Sequence, residues 1–410
     1  YFKDQKVSLI ITVDCGITSF KEINDAKALS IDTIITDHHT IIDNLPDALA
    51  IVNASHPNYN YPFQSLTGVG TAFKVVEALY DKLSIEIPPI LFAYAALGTI
   101  SDVAPMIGEN RYLVSEGLEV MRSLPISGLD ALIGKSKLRK NRLTSQDMAF
   151  SIIPKLNVAG RIEHAAESLN LLLSENKERS IYLSTKLNNL NKKRQIITEV
   201  ALKESIEQIN KANDKDKSVM FVGKPSWIPG ILGLVAARIS EQYYRPTIAA
   251  SGNGEIIRAS ARTIPEFNLI ESFKEFSHLF ERFGGHAMAA GFTIKRENLK
   301  IFRESMATYA SQNMNNVPSA PTLELEYTLD PSEINRSLLN FVYSLDPFGS
   351  KNPVPIFITR DLQVVDARTV GSQGEHLKTT LEHEGRFFDA IAFRDGHRVL
   401  ECKESIDIAF

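Results

Sequence analysis

Short β-branched runs that break off at a carboxylate set the first rhythm of this chain. Val7-Ser8-Leu9-Ile10-Ile11-Thr12-Val13-Asp14 is one, and Ile31-Asp32-Thr33-Ile34-Ile35-Thr36-Asp37 is the next. Apolar runs of this length, bounded by polar residues, predict buried strands. Between them Cys15-Gly16 predicts a turn, and Thr18 or Ser19 can cap a helix from about Phe20 to Leu29. Strand, helix, strand is a βαβ unit, whose two strands run parallel. Parallel strands align their C-terminal ends, which places Asp14 and Asp37 on one edge of one sheet.

The pattern then turns helical. Asn53 to Phe63 is a loop rich in Pro, Asn and Tyr, and Thr67-Gly68-Val69-Gly70-Thr71 opens a helix to about Tyr80. Gly68 and Gly70 read as a tight turn with close packing; a dinucleotide site wants a third glycine and a preceding strand. Ile90 to Thr99 is an apolar helix, with Asp102 in the loop beyond it. Lys135, Lys137, Arg139, Lys140 and Arg142 form a basic loop, either a solvated surface or a phosphate contact. In Asn157-Val158-Ala159-Gly160-Arg161, Gly160 predicts a sharp turn that presents Arg161 to a phosphate. From Arg161 to Val222 there is neither Gly nor Pro. Leu183, Leu187, Leu190, Ile197 and Ile206 recur at helical spacing. One long helix from about Asn176 to Asn213 follows, on the order of 50 Å long, polar on most sides and read as a spacer between domains.

Strand and helix alternate again beyond it. Ser218 to Gly223, Pro246 to Ser251 and Glu255 to Ile264 predict strands, and Trp227 to Gly233 leads into a helix to about Tyr244. Alternation along Arg258-Ala259-Ser260-Ala261-Arg262 puts Arg258, Ser260 and Arg262 on one face, a phosphate comb or a solvent-facing side. Arg282-Phe283-Gly284-Gly285-His286-Ala287-Met288-Ala289-Ala290-Gly291 is crowded with small residues, so backbone N–H groups can cradle an anion there. The competing reading is a tight turn with a packed histidine. Asn313 to Pro321 is a polar linker. Then come Leu323 to Leu329, a helix around Ile334 to Ser344, a turn at Pro347-Phe348-Gly349, and strands at Pro355–Thr359, Leu362–Ala367, His376–Glu382 and Phe387–Phe393. Closely spaced strands suit a small β-barrel, on which Lys378, Arg386 and Phe388 offer a basic and aromatic surface for single strands.

Composition adds limits. The 410 residues suggest two or three domains; 44% are hydrophobic and 23% charged, enough to build several cores. A net charge of −4 sets up no global basic field, so nucleic-acid contacts must be local. The two cysteines, Cys15 and Cys402, form no disulfide framework, which favours a reducing compartment. No apolar run is long enough to span a membrane. The chain opens at Tyr1 rather than Met and stops inside the strand-like Ile406-Asp407-Ile408-Ala409-Phe410, which reads as a fragment cut at both ends, so a leader peptide cannot be judged.

The candidate chemistry gathers at the strand ends. Asp37-His38-His39 joins a carboxylate to two imidazoles where open α/β sheets bind ligands, and Asp and His are the usual ligands of divalent metals. Asp14 shares that edge, and Asp102 supplies a third acidic residue after a third buried element.

Taken together these motifs resemble the RecJ-type single-strand-specific exonucleases, within the DHH phosphoesterase superfamily. The resemblance rests on Val13-Asp14-Cys15-Gly16-Ile17, Thr36-Asp37-His38-His39, Gly98-Thr99-Ile100-Ser101-Asp102, Asn157 to Arg161, Trp227 to Gly233 and Phe283 to Gly291. The Gly-Gly-His segment also resembles one in alanyl-tRNA synthetases, whose synthetase core has no counterpart here. The resemblance implies an α/β chain in four parts. Residues 1–175 would be a parallel-sheet DHH catalytic domain and 176–213 a connecting helix. Residues 214–312 would be an α/β DHH-associated substrate-binding domain and 320–410 an incomplete OB-like β-barrel. It implies a Mn²⁺- or Mg²⁺-dependent exonuclease, with two ions in the complete protein. The enzyme would degrade single-stranded DNA from its 5′ end in recombination and repair. Single-strand-binding protein and a helicase would be partners, the setting cytoplasmic, with no membrane.

Carried over by motif, Asp14, His38 and Asp102 are metal ligands, Asp37 a ligand or the partner that orients an imidazole, and His39 faces the scissile phosphate. Arg161, Trp227, Arg258, Ser260, Arg262, Gly284, Gly285 and His286 are substrate-binding. One departure matters. The family's earlier strand, with its Asp-x-Asp ligand pair, would lie before Tyr1, so this chain by itself is expected to bind metal weakly and to be nearly inactive. Two rivals remain open. A DHH phosphodiesterase of short oligonucleotides or cyclic dinucleotides would share the first two domains. A non-catalytic DNA-binding relative would have lost the ligands.

Overall fold

The structure, a computed structural model, describes residues 1–41, 44–212, 214, 217–314 and 320–410. It divides into two compact units, Tyr1–Gly117 with Thr322–Phe410, and Leu118–Pro321.

In the first unit β1 (Leu9–Val13), α1 (Phe20–Ala28) and β2 (Asp32–Thr36) form the expected βαβ unit. β1 and β2 pair in parallel, Val13 beside Thr36. The sequence reading missed β3 (Ala50–Val52), a three-residue strand that pairs in parallel with β2 and completes a sheet of order β1-β2-β3. Next come α2 (Gly68–Lys82), α3 (Ile90–Ser101) and α4 (Gly108–Ser123). Thr67 caps α2 by accepting from Gly70 N. Gly98 is required by packing, because a Cβ there would overlap the Val69 side chain. Phe73, Ala95 and Leu113 bury a small core between these helices.

The second unit begins with α5 (Ser127–Lys135) and a single turn, α6 (Ser145–Asp147), followed by a π-helical turn at Met148–Ile152. Then come α7 (Ile153–Ile162), α8 (Ala166–Leu172) and the 36-residue α9 (Lys177–Ala212). The expected turn at Gly160 is absent: α7 runs through it, held by Val158 and Ala159, which are wholly buried. α9 is less solvated than its composition suggested. Its first half packs on α5, α7 and α8, and Ala201, Leu202 and Ile209 enter a core with β4 (Met220–Gly223) and α10 (Leu232–Tyr243). β5 (Thr247–Ser251), β6 (Ile256–Arg262), α11 (Leu269–Glu275), β7 (Phe280–Gly285), β8 (Ala289–Lys295) and α12 (Arg296–Asn313) complete a five-stranded sheet of order β4-β5-β6-β8-β7. A phenylalanine cluster (Phe273, Phe292, Phe302) seals its α12 side. Residues 315–319, the middle of the expected linker, lie outside the described residues.

The chain returns to the first unit with β9 (Tyr327–Thr328), α13 (Arg336–Ser344), β10 (Phe357–Val370), β11 (His376–His383), β12 (Arg386–Ala392) and β13 (Ser405–Ala409). The two strands expected at 355–359 and 362–367 are one, β10, whose register shifts between Thr359 and Leu362. Asp361 there takes a left-handed φ of 56°. The sheet runs β12-β11-β10-β13, with β9 beside β10. Arg111 of α4 ties this part to the first by donating to the carbonyls of Leu345 and Pro347.

Candidate metal centre and arginine face

Asp14 and Asp37 leave their strands side by side. Asp14 N donates to Thr36 O at 2.9 Å, and Asp37 N to Val52 O at 3.0 Å. Asp14 adopts a left-handed φ of 62°, a conformation Asp tolerates better than most residues. Gly16, at φ 115°, then turns the chain so that Ile17 N donates to Asp37 Oδ2 at 3.0 Å. Asp37 is 1% exposed. Its Oδ1 accepts from His38 N at 2.8 Å and His39 N at 3.2 Å, and meets His39 Nδ1 at 2.7 Å. Burial pushes this carboxyl's pKa up, but the donors from Ile17, His39 and His38 outweigh it and hold the group below the usual carboxylate range. An ionised carboxylate only accepts, so Nδ1 of His39 donates to it, which fixes the ring and leaves Nε2 as its other nitrogen.

The remaining donors lie close by. His38 Nε2 is 3.1 Å from Asp14 Oδ1 and 3.8 Å from Asp102 Oδ2. Ligand atoms of Asp14, His38 and His39 lie within 4.8 Å of one another, and Asp102 caps the C-terminus of α3 next to them. Carboxylate oxygens and imidazole nitrogens on one open face fit Mn²⁺ or Mg²⁺, which favour oxygen-rich and mixed N/O sites. Gly68, the first residue of α2, bounds the site, since a Cβ there would overlap the Asp14 carboxylate. Sequence reading named Gly68 only as a turn and packing residue; its contact with Asp14 is visible only in three dimensions.

The second unit carries a basic sheet face. Arg258, Ser260 and Arg262 share one side of β6, and a cleft of 350 Å³ is lined by Arg258, Ser260, Arg282, Gly284, Gly291 and Thr293. Arg262 is half-buried, and its desolvation together with the charge of Arg161 pulls its pKa down. Arg194 of α9 is in the same state, through burial and then through Arg161 and Arg238; its Nε is buried without a hydrogen-bond partner. The glycines of the Trp227–Gly233 motif make room for this cluster. A Cβ on Gly230 would overlap Arg161 O, and one on Gly233 would sit 3.0 Å from the Arg262 guanidinium. Arg161 Nη1 donates to Gly230 O at 3.3 Å.

Two expectations need correction. Trp227 cannot be a substrate contact: it is buried in the core with Ala201 and Val235, and its Nε1 donates to Glu204 Oε2 at 2.7 Å. The Gly-Gly-His cradle is narrower than expected, because His286 N is already spent on Ala289 O across the β7–β8 hairpin. Gly285 is needed for the turn, at φ 142° and with a Cβ that would overlap Ala289 O, whereas Gly284 faces open space. Arg194 and Arg282 were not singled out as site residues. Arg282 is two residues before Gly284 on the same strand, and Arg194 falls on the apolar stripe of α9 between Leu190 and Ile197. Both spacings were there to be read.

Comparison with known proteins agrees. Residues 1–99 match the DHH family N-terminal domain, 216–312 the DHHA1 domain, and 325–410 the RecJ OB domain. The single-stranded-DNA-specific exonuclease RecJ of Bacillus subtilis is 36% identical over 396 residues, 96% of this chain and 50% of that protein. The Escherichia coli RecJ is 30% identical over 407 residues, covering 94% of this chain and 70% of its own length. The crystal structure of Thermus thermophilus RecJ in complex with Mn²⁺ superposes with a TM-score of 0.85 at 28% identity, over 100% of this chain and 60% of that one. The chain thus spans about half the length of the Bacillus subtilis relative. Through the DHH edge, the DHHA1 sheet and the RecJ OB strands in this order, the chain belongs to the RecJ family of DHH proteins.

Proposed function

We propose that the protein is a metal-dependent exonuclease that hydrolyses the phosphodiester bonds of single-stranded DNA from the 5′ end, in recombination and repair. The observation that carries this reading is the Asp14–His38–His39 cluster, set at a parallel strand edge over a fully bonded Asp37. Asp14, His38 and Asp102 hold Mn²⁺ or Mg²⁺, with two ions in the complete protein. When bound, the metal neutralises phosphate charge and makes water a stronger nucleophile. Both oxygens of Asp37 are spent on Ile17, His38 and His39, so its part is to orient. It fixes the His39 ring with Nε2 turned outward, toward the scissile phosphate. Arg161, Arg258, Ser260, Arg262 and the Gly284-Gly285 backbone hold DNA phosphates, the His286 N–H being engaged with Ala289 O. Arg194 and Arg282 belong to the same set, because guanidinium groups with no carboxylate partner among the described residues are stabilised by an anionic ligand. Single-strand-binding protein and a helicase are proposed partners, and the cytoplasm the setting; among the described residues no helix is long and apolar enough to cross a membrane.

The test incubates the full-length protein with 5′- and 3′-labelled single strands, with and without Mn²⁺. Metal-dependent release of the 5′ label first is expected. Release of the 3′ label first overturns the polarity, and metal-independent release overturns the mechanism.

A further inference from the structure

The basic loop 135–142 plays no part in the proposed function. It holds Lys135, Lys137, Arg139, Lys140 and Arg142 with no acidic residue, in a chain whose net charge is −4. Lys140 is structural, pairing with Asp130 at 2.6 Å and donating to Leu124 O. The other four cations are exposed and have no ion-pair partner among the described residues. The nearest acidic groups are engaged elsewhere: Asp130 with Lys140 and Ile126 N, and Asp147 with Thr144.

A second observation falls on the same spot. The π-helical turn Met148–Ile152 buries Met148 and Ile152 completely but leaves Phe150 79% exposed. π-Turns are frequent at functional sites. Lys155 fastens the turn to the loop, its Nζ donating to Ser151 O at 2.8 Å and to Ser136 Oγ at 2.6 Å. Phe150 and the loop cations therefore flank one fixed junction, and Lys137 holds a left-handed φ of 57° beside it.

We propose that loop 135–142 and Phe150 form a further contact surface for single-stranded DNA, its cations taking backbone phosphates while Phe150 stacks on a base. The inference rests on the substrate reading above and extends it to a stretch of strand that the arginine face does not hold. Unpaired cations beside an exposed aromatic ring match a chain that alternates phosphate and base. Charge alone would also suit an acidic protein segment; the exposed ring favours the nucleic acid.

Binding of a fluorescent oligothymidylate to the full-length protein is measured in chelator, so that the metal centre plays no part, over a series of salt concentrations. Lys137→Ala/Arg139→Ala/Arg142→Ala is expected to make the slope of log K against log salt shallower by about 2, at roughly 0.7 per lost phosphate contact. Phe150→Ala is expected to weaken binding by about fivefold or more. Phe150→Trp should restore binding and Phe150→Leu should not. Melting temperatures and Mn²⁺-dependent dinucleotide hydrolysis should stay at the wild-type level. Wild-type binding with an unchanged slope in the triple variant overturns this surface alone. So does restoration by Leu, or loss of an acidic protein partner without loss of DNA binding. A wild type that binds no oligonucleotide and cleaves no dinucleotide sinks the substrate reading instead.

Discussion

Asp37→Asn probes the foundation of the metal centre. The wild-type carboxylate takes Ile17 N on Oδ2 and His38 N, His39 N and His39 Nδ1 on Oδ1. Asparagine has one acceptor oxygen. Turned toward the three donors, it leaves its NH₂ facing the Ile17 N–H, so one buried donor loses its acceptor at about 1–3 kcal/mol. The three remaining bonds drop from charge-assisted to neutral strength, about 1 kcal/mol each, and relief of the buried charge offsets part of the loss. The net expectation is a destabilisation of about 2–4 kcal/mol. It should depend on pH. The folded pKa of Asp37 lies below its unfolded value. Its contribution is therefore complete above the ordinary carboxylate range and disappears as pH falls through the folded pKa. Asn should remove this acid-side loss as well as the stability itself. Denaturant unfolding in chelator, followed by circular dichroism at neutral and acid pH, measures both. Mn²⁺ titration of the full-length protein by electron paramagnetic resonance should show affinity down about 10–100-fold. An Asn variant with wild-type stability, acid dependence and Mn²⁺ affinity would refute the anchoring role.

Gly68→Ala should displace the Asp14 carboxylate while leaving α2 intact, so Mn²⁺ affinity falls with little change in melting temperature; an unchanged Mn²⁺ isotherm counts against it. Arg194→Leu removes a half-buried guanidinium whose buried Nε is unbonded, repelled by Arg161 and Arg238. Folding stability should hold or rise, by about 1 kcal/mol or more, as oligonucleotide affinity drops. A clear fall in melting temperature would show that the guanidinium is structurally satisfied. Trp227→Phe gives up the bond to Glu204 and should cost about 1–3 kcal/mol in denaturant unfolding, with oligonucleotide binding unchanged. A selective loss of binding would return Trp227 to the substrate site.

The parts legible in the sequence were those whose signals are local. The βαβ unit shows because Leu9–Val13 and Asp32–Thr36 are short β-branched runs and Gly16 breaks between them. The long helix shows because nothing between Arg161 and Val222 interrupts it. Where the reading failed, packing had outvoted propensity. Gly160 looks like a stop, yet α7 continues because burial of Val158 and Ala159 holds it in place. β10 looks like two strands because Arg360-Asp361 bulges without ending the ladder. Trp227 sits in a motif whose glycines border the arginine cluster, but its own ring is buried in the core between α9, β4 and α10.

The site residues also share a physical property that no single position displays. Asp14 holds a left-handed backbone, Asp37 is a buried charge, and Arg194 and Arg262 are desolvated cations pressed by Arg161. Each costs folding energy by itself, and strain of this kind persists only where the surroundings over-determine it. Here the surroundings are specific: Gly16, Gly68, Gly230 and Gly233 supply room, and the amides of Ile17, His38 and His39 supply bonds. The Asp37 charge is repaid within the fold by those bonds. For the arginine cluster no carboxylate among the described residues does the same, and Arg194 keeps an unbonded Nε. An anion that binds only the folded state stabilises it in proportion to its affinity. Oligonucleotide should therefore raise the melting temperature of the second unit, and the rise should shrink in Arg194→Leu although that variant starts from an equal or higher value.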